Sequence, residues 1–191
     1  MMNMTADLAR TITQASSKQS YYTARLMVDS NLEYDCYRAY GYFRWVDDRV
    51  DIEFQTKFER LAFIYRQKDL VERLYRGENP VDLAPEEEIL ADLICNDHGD
   101  CYRLRSYIHN FLAIIEFDAE RRGRLISQQE LDWYASTLGK AGTDGIQYFI
   151  CNGYAYPESE KRYLAATGAH IAHMLRDLKE DISEGYINIP R

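Results

Sequence analysis

Apolar residues recur at helical spacing along most of this chain. The clearest case is residues 102–122, which carry an apolar residue every three or four positions. This spacing places those residues on one face of an amphipathic α-helix. No stretch alternates between apolar and polar residues as a strand would, so the pattern predicts an all-α protein. The stripe consists of Leu104, Ile108, Phe111, Leu112 and Ile115.

Capping and turn residues divide this pattern into separate helices. Pro85 suits the first position of a helix, Ser127 to Glu130 has the form of a capping box, and Gly185 suits the position after a helix end. We expect turns at residues 96–100 and 152–157. The predicted helices are a short one that ends at 14 (capped by Asn3 or Thr5), 21–27, one from 32 past 51 that continues to 75 with or without a break near 52–53, one that begins at 85, 102–122, one that begins at 127, and 158–184.

Three glycines interrupt the helical pattern within a few residues of one another, at positions 139, 142 and 145. A glycine inside a helix costs about 1 kcal/mol relative to alanine. We therefore expect a kinked or unwound segment here, where the backbone can approach a ligand.

Composition and charge place the chain among ordinary globular proteins. Its 191 residues are 46% hydrophobic and 28% charged, enough for one domain over residues 1–191 with a sizeable core. The formal net charge of -8 disfavours binding to nucleic acid or to an anionic membrane. A phosphate substrate would therefore need a metal cation to supply positive charge.

Cysteine spacing and the N-terminal sequence indicate in which cellular compartment the protein lies. The four cysteines form no C-x-x-C pair and are expected to be reduced thiols. Residues 1–22 lack the apolar segment of a signal peptide, and no apolar run approaches membrane-spanning length. These features predict a cytoplasmic protein. The cysteines are Cys36, Cys95, Cys101 and Cys151.

Two pairs of aspartates stand four residues apart on predicted helices, Asp47 with Asp51 and Asp177 with Asp181. Residues at this spacing share one helix face, with Cβ atoms roughly 6 Å apart. Carboxylate oxygens are the ligands that Mg²⁺ prefers, together with water and substrate phosphates. Two such helices facing each other across a cavity would form a site for a metal and a phosphate. A single aspartate pair on one helix usually belongs to a solvent-exposed surface.

Arginines and histidines flank these pairs. Arg44 and Arg176 precede the first and second pair, and each can hold a phosphate oxygen bidentately. His170 and His173 lie upstream of Asp177 at helical spacing, so a transition-metal site of histidine and aspartate stays open. A di-iron site is not supported, because no Glu-x-x-His motif occurs. The chain also lacks a nucleophile elbow, a dinucleotide-binding glycine motif and a P-loop.

Four motifs occur together over nearly the whole chain. They are Ser17-x-x-Ser20-Tyr21-Tyr22-x-Ala24, Tyr40-x-x-x-Arg44-x-x-Asp47-Asp48-x-x-Asp51, Ala141-Gly142-Thr143 and Leu175-Arg176-Asp177-x-x-x-Asp181. In this order and at these separations they resemble the squalene/phytoene synthase family. The resemblance implies the all-α isoprenoid synthase fold, a helical bundle around a central cavity. It also implies condensation of two allylic prenyl diphosphates, farnesyl or geranylgeranyl, head to head through a cyclopropyl intermediate to a squalene- or phytoene-type product.

The same resemblance implies roles for individual residues. It implies Mg²⁺ as the cofactor, bound together with a diphosphate, and an apolar tunnel that keeps water from the carbocation. The implied catalytic residues are Asp47, Asp51, Asp177 and Asp181. The implied metal ligands are Asp47, Asp48, Asp51, His173, Asp177 and Asp181. The implied substrate-binding residues are Ser20, Tyr40, Arg44, Tyr134 and Arg176. Without a ligand, the cations expected to relieve the aspartate pairs are Arg44, Arg49, Arg176 and Lys179.

The sequence departs from the family pattern near its end. His173 stands where the family has asparagine, His170 where it has glutamine, and Tyr186-x-Asn188 where it has Arg-x-Tyr. The chain stops at Arg191, where relatives continue through further helices, so we expect a C-terminally incomplete domain. An apolar groove would then be exposed beside the last helix and would favour a homodimer or another partner. An apolar product favours contact with a membrane surface. The expected groove residues are Ile171, Met174, Leu175 and Leu178.

Two other functions stay open from the sequence. A relative that keeps the fold without catalysis would act in assembly or lipid binding, and the short chain and the two histidines favour it. A plain helical structural domain is the third alternative, which the intact aspartate pairs disfavour.

Overall fold

The computed structural model describes residues 4–97, 101–151, 154 and 159–190, with only the backbone of Cys101. Most of them lie in helices, which confirms the predicted all-α class. The helices are α1 (Met4–Ser16), α2 (Lys18–Met27), α3 (Glu33–Asp48), α4 (Lys57–Tyr75), α5 (Pro85–Cys95), α6 (Cys101–Arg121), α7 (Gln128–Phe149) and α8 (Leu164–Glu184). The remaining elements are a π-helical turn (Arg49–Glu53), a 3₁₀ turn (Glu160–Tyr163), and the strands β1 (Leu125–Ile126) and β2 (Ile187–Pro190).

Local sequence signals set several helix ends as predicted. Pro85 is the first residue of α5, where a backbone N–H is not required. The Ser127 hydroxyl accepts from the Glu130 N–H (3.2 Å), and the Glu130 carboxylate accepts from the Ser127 N–H (2.7 Å), so α7 begins with a complete capping box. Gly185 ends α8 at φ +93°, a left-handed conformation that favours glycine.

Other boundaries differ from the prediction. α1 extends to Ser16, and α2 begins at Lys18 rather than 21, because the Ser17 hydroxyl caps it by accepting from the Ser20 N–H at 3.1 Å. α3 ends at Asp48, where the π-helical turn follows. The predictions that fall wholly or partly outside the described residues are the Asn3 cap, the turn at 96–100, the loop at 152–157, the helix start at 158 and the chain end at Arg191.

The tertiary contacts group the chain into two compact units. Unit 1 comprises Met1–Cys101 and Tyr148–Tyr154, and unit 2 comprises Tyr102–Gln147 and Ala155–Arg191. The organisation of residues 1–191 as one domain around a central cavity stays a prediction.

Helices α1, α3 and α5 pack against one another in unit 1, with α2 on α1 and α3 and with α4 on α5. Tyr37, Tyr42 and Val46 of α3 are fully buried in this core. Gly41 lets α1 approach α3 closely, since a Cβ at this position would lie 3.2 Å from the Ala9 Cα. These contacts hold α3 along most of its length and so position the aspartates at its end.

A returning segment, Tyr148–Tyr154, completes unit 1. The Asp29 N–H donates to the Phe149 carbonyl at 3.0 Å, and the Tyr148 hydroxyl donates to the Asp97 carboxylate at 3.2 Å. The Cys151 thiol lies 3.1 Å from Asp29 Oδ2. The last residues of α7 therefore belong to unit 1.

Glycines in α7 serve helix packing in unit 2. A Cβ on Gly139 would lie 3.0 Å from the Thr167 nitrogen of α8, and a Cβ on Gly145 would lie 2.6 Å from the Tyr107 ring of α6. A Cβ on Gly142 would lie 3.6 Å from Nε2 of His170 on α8. The predicted kink is wrong: α7 is continuous from Gln128 to Phe149, and its glycines allow neighbouring helices to approach.

β1 and β2 form a parallel pair in unit 2, with Leu125 opposite Ile187. The sequence pattern predicts no strand, and in this respect it is wrong. Strands of two and four residues are too short to show a period of alternation.

α8 has no buried residue along its 21 positions. Ile171 and Leu175 are 44% and 69% exposed and border an apolar groove of about 180 Å³, so the predicted groove beside the last helix is confirmed. The homodimer and the membrane contact stay predictions. The groove residues include Leu131, Ile171, Met174, Leu175, Leu178 and Ile189.

The described helices contain no stretch with both the length and the hydropathy needed to cross a bilayer. Cys36, Cys95 and Cys151 are free thiols, as predicted. The side chain of Cys101 lies outside the description.

Candidate functional site

A polar cleft of about 280 Å³ lies in unit 2 along one face of α8, and we call it the α8 cleft. It collects five residues that the sequence analysis singles out: Tyr134, His170, His173, Asp177 and Asp181. It also contains five polar residues that the analysis does not place in a site: Asp118, Arg121, Glu184, Tyr186 and Asn188. Leu138 and Met174 complete the lining.

Helical spacing explains why α8 supplies half of this cleft. Residues three and four apart share one helix face, which brings His173, Asp177 and Asp181 into one row. The prediction that the second aspartate pair shares a face is therefore confirmed.

Asp177 is engaged by its neighbour Arg176. The guanidinium Nε and Nη2 each donate to one carboxylate oxygen of Asp177, both at 2.6 Å. This hydrogen bonding lowers the pKa of Asp177 and raises the pKa of Arg176. Asp177 is consequently ionised at neutral pH. The side chain of Arg176 is 66% exposed and does not line the cleft, although the two residues are bonded.

Asp181 is held by a chain of hydrogen bonds through the cleft. The Asn188 amide nitrogen donates to Asp181 Oδ2 at 2.9 Å, and Arg121 Nη1 donates to the Asn188 amide oxygen at 2.8 Å. Arg121 Nε in turn donates to Asp118 Oδ1 at 2.6 Å. The Tyr134 hydroxyl donates to Asp118 Oδ2 at 3.0 Å.

Arg121 is a charged residue that the fold buries, with 2% of its surface exposed. Its Cζ lies 4.9–5.4 Å from the ring centroids of Phe117, Tyr134 and Tyr186, so cation–π contacts accompany its hydrogen bonds. Burial, and the nearby Asp118 carboxylate, raise the pKa of Tyr134. Tyr134 therefore stays protonated at neutral pH and acts as a hydrogen-bond donor.

The two histidines of the cleft stand edge to face, with ring centroids 6.3 Å apart. Burial lowers the pKa of His170, and the neighbouring His173 lowers it further. His170 is therefore a neutral imidazole at neutral pH. Sequence reasoning leaves a transition-metal site open, but among the described residues no three His, Cys, Asp or Glu side chains converge as a metal-binding group.

The charge of the α8 cleft constrains what it can bind. Four carboxylates line it, and Arg121 is its only lining guanidinium or ammonium group among the described residues. Such a cleft repels a free diphosphate, and a cation is needed to bring the two together. The fit to Mg²⁺ is therefore conditional: Asp177 and Asp181 supply oxygens, and a diphosphate would supply others.

The first aspartate pair lies at the end of α3 in unit 1. Arg44 Nε donates to Asp48 Oδ2 at 3.1 Å, and Arg44 Nη1 lies 3.7 Å from Asp47 Oδ2. Burial acts against the charge, but the hydrogen bond to Asp48 raises the pKa of Arg44. Asp47 is 49% exposed, so this cluster is open to solvent.

Asp51 lies beyond the end of α3, in the exposed π-helical turn. The wider turn is closed by the Phe54 N–H, which donates to the Arg49 carbonyl at 3.3 Å. The prediction that Asp47 and Asp51 lie on one uninterrupted α-helix is wrong, because the helix changes its winding between them. Turns of this kind occur frequently at functional sites.

The other predicted substrate-binding residues of unit 1 lie on α3 and α2. Tyr40 precedes Arg44 by one turn of α3, and its electrostatic effect contributes to the raised pKa of Arg44. Ser20 lies in the first turn of α2. Arg49, expected to relieve the aspartates, pairs with Glu53 at 3.0 Å. That the two aspartate pairs face one cavity stays a prediction.

Among known proteins, the chain is similar to the presqualene diphosphate synthase of Rhodopseudomonas palustris (strain ATCC BAA-98 / CGA009). The two are 25% identical over 178 residues, which cover 90% of this chain and 58% of that protein. The chain thus spans less than two thirds of the length of this relative. No protein-family model matches the chain, and no solved structure matches it significantly.

Proposed function

We propose that this chain is a Mg²⁺-dependent transferase of the squalene/phytoene synthase family that condenses two allylic prenyl diphosphates head to head. The observation that carries the proposal is the α8 cleft, where Asp177 and Asp181 share one helix face. Similarity to a presqualene diphosphate synthase over 90% of the chain supports it. That relative's name favours a squalene-type product over a phytoene-type one.

The proposed reaction sets clear demands on the site. The allylic C–O bond of one substrate breaks and releases diphosphate, a C–C bond forms to the second substrate, and a proton leaves to close the cyclopropane. Mg²⁺ held by Asp177 and Asp181 would stabilise the negative charge on the leaving diphosphate. Asp47, Asp48 and Asp51 would provide the second set of carboxylates.

Other residues of the cleft have roles that follow from their protonation. Tyr134 stays protonated and donates its one hydroxyl proton to Asp118, so it would hold that carboxylate in place and not act as a base. His170 is neutral, so it adds no positive charge that would repel Mg²⁺. The Arg176 side chain is 66% exposed, and its guanidinium would exchange the bond to Asp177 for one to a phosphate oxygen.

The direct test is incubation with farnesyl or geranylgeranyl diphosphate and Mg²⁺, followed by analysis of the products. We expect a cyclopropyl diphosphate product from the wild type, since the assay contains no reductant, and a roughly 100-fold lower rate from Asp177→Asn and Asp181→Asn, since each removes an anionic ligand. Asp132→Asn is the matched control, because Asp132 is an exposed carboxylate on α7 that accepts a hydrogen bond from the Gln128 amide at 2.7 Å. Product formed equally by all variants would exclude the proposal.

The exposed apolar groove on α8 favours a second candidate, a non-catalytic relative that binds lipid or assembles with other proteins. The same assay separates the two. A lipid-binding or assembly protein would retain prenyl diphosphate without releasing diphosphate, and substitution of the aspartates would leave that binding unchanged.

A further inference from the structure

A set of contacts ties the C-terminal end of α8 to the C-terminal end of α6, and we call it the C-terminal clasp. The Gly123 N–H donates to the Gly185 carbonyl at 2.8 Å. β2, which follows α8, pairs with β1, which follows α6. Arg121 of α6 donates to Asn188 of β2 at 2.8 Å. All of these residues belong to unit 2.

The clasp has more influence on α8 than such contacts usually have on a helix. A helix normally gains its orientation from an apolar face buried in a core. α8 has no buried residue, and its close approach to α7 lies at Thr167 and His170, well before Asp181 along the helix. The contacts at its C-terminal end therefore decide which way Asp181 points.

Asn188 is suited to connect two groups of opposite charge. An amide carries both an acceptor and two donors. Its oxygen accepts from the Arg121 guanidinium and its nitrogen donates to the Asp181 carboxylate, at 2.8 and 2.9 Å. An aspartate at this position could accept from Arg121 but could not donate to Asp181.

Arg121 is itself held firmly on its other side. It is bonded to Asp118, which also accepts from Tyr134, and it is stacked among three aromatic rings. The network therefore runs from a buried, fixed cation through Asn188 to the carboxylate on α8. Outer-shell partners of this type fix the orientation of metal ligands.

We infer that Arg121 and Asn188 are positioning residues that hold Asp181 Oδ2, so that the other carboxylate oxygen is presented to a Mg²⁺–diphosphate ligand. The inference rests on the proposed function. Neither residue needs to contact the substrate. Their effect is on how much Mg²⁺ the site requires.

The experiment is calorimetric titration of a farnesyl diphosphate analogue, inert because sulfur replaces the ester oxygen, at a series of Mg²⁺ concentrations. We expect Asn188→Asp to raise the Mg²⁺ concentration at half-maximal binding by about 10-fold, as for other outer-shell partners. Binding should recover at saturating Mg²⁺. A merely structural role would instead lower the affinity at every Mg²⁺ concentration.

Asn31→Asp is the matched control, because it makes the same charge change at an exposed position in unit 1. Asn188→Ala, which removes both links without adding charge, replaces Asn188→Asp if that variant fails to fold. An unchanged Mg²⁺ requirement in the Asn188 variant overturns the inference alone. A wild type that binds no analogue at any Mg²⁺ concentration overturns the proposed function, and the inference with it.

Discussion

Asp144 is a fully buried carboxylate on α7 whose partners come from other elements of unit 2. The Ser106 hydroxyl of α6 donates to it at 2.6 Å, and the Tyr163 hydroxyl of the 3₁₀ turn donates at 3.0 Å. The Arg162 guanidinium lies 3.7 Å away. A buried charge is tolerated only with such compensation, so Asp144 joins three elements at one point.

We predict that Asp144→Ala lowers the free energy of unfolding by about 3–5 kcal/mol, because it removes the buried carboxylate on which the Ser106 and Tyr163 hydroxyls and the Arg162 guanidinium converge. Ser106→Ala removes the hydrogen bond to Asp144 and the one that Ser106 accepts from the Asn110 amide at 3.0 Å, and should cost only about 2 kcal/mol. Urea denaturation measures both. Equal losses in the two variants would contradict the view that the charge, and not the hydrogen bond, dominates.

Two cysteines of unit 1 differ in their surroundings. Burial, with the nearby Asp35 carboxylate, raises the pKa of Cys36 to about 12, whereas Cys95 is exposed. The thiolate is the reactive form of cysteine. At pH 8 we expect iodoacetamide to modify Cys95 at least 10-fold faster than Cys36. The rate at Cys36 should rise with pH through pH 10, since its thiolate fraction is still small there.

Mass spectrometry of tryptic peptides follows each thiol separately in this labelling experiment. Cys95→Ser serves as the control and should remove the fast phase while leaving the rate at Cys36 unchanged. Modification of Cys36 at the rate of Cys95 would show that its thiol is not shielded.

At the scale of elements, the glycines of α7 and α8 illustrate two opposite roles. Gly139 is buried where α7 meets α8, and its Cβ would lie 3.0 and 3.2 Å from the Thr167 nitrogen and Cα. Gly168 is exposed on α8 with no atom within 4 Å of a Cβ. The two positions thus form a matched pair on packed helices.

We predict that Gly139→Ala destabilises the protein, because the Thr167 backbone must move and overpacking costs about 1–3 kcal/mol. Gly168→Ala should stabilise it by up to about 1 kcal/mol through helix propensity alone. Thermal unfolding followed by circular dichroism distinguishes them. The packing explanation fails if both substitutions raise the melting temperature.

Sequence reasoning succeeds at helix ends because their signals are local. The capping box of Ser127 and the terminal Gly185 involve residues within a few positions of each other. It fails for the glycines of α7, because helix propensity counts their cost while the compensating contact with Thr167 comes from another helix. Periodicity within one segment contains no information on which helix lies opposite.

The residues of the candidate site likewise divide into those that local sequence signals reveal and those that only contacts between elements reveal. Asp177 and Asp181 are found from their spacing, whereas Arg121 and Asn188 are 67 positions apart and share no motif. A weak signal exists for Asn188, which is a polar residue between Ile187 and Ile189 shortly after the second aspartate pair. No sequence pattern indicates that the guanidinium of Arg121 is buried.

At the scale of the whole molecule, the two aspartate clusters belong to different units, Asp47 to unit 1 and Asp177 to unit 2. If each cluster holds Mg²⁺ for a diphosphate, Asp47→Asn and Asp177→Asn should each lower the Mg²⁺-dependent affinity for a prenyl diphosphate analogue by about 10-fold or more. Melting temperatures should change little, because the ion pairs that Asp47 and Asp177 make with Arg44 and Arg176 are solvent-exposed.

Calorimetric titration with and without Mg²⁺ measures this effect in both variants. Asp132→Asn again controls for the loss of one surface charge. If the wild type binds the analogue equally well without Mg²⁺, or if all variants bind it with equal affinity, the aspartates are solvent-exposed surface residues and hold no metal.

The returning segment Tyr148–Tyr154 has a consequence for how the chain is made. Unit 1 is built mostly from residues 1–101, yet Asp29 and Asp97 await partners at Phe149, Cys151 and Tyr148. At 5–20 residues per second, a ribosome needs roughly 3–10 s to extend the chain from residue 101 to residue 154. During that interval unit 1 is incomplete while unit 2 emerges from the exit tunnel. Nascent chains stalled before residue 148 should therefore be more sensitive to protease in unit 1 than chains stalled well beyond residue 154.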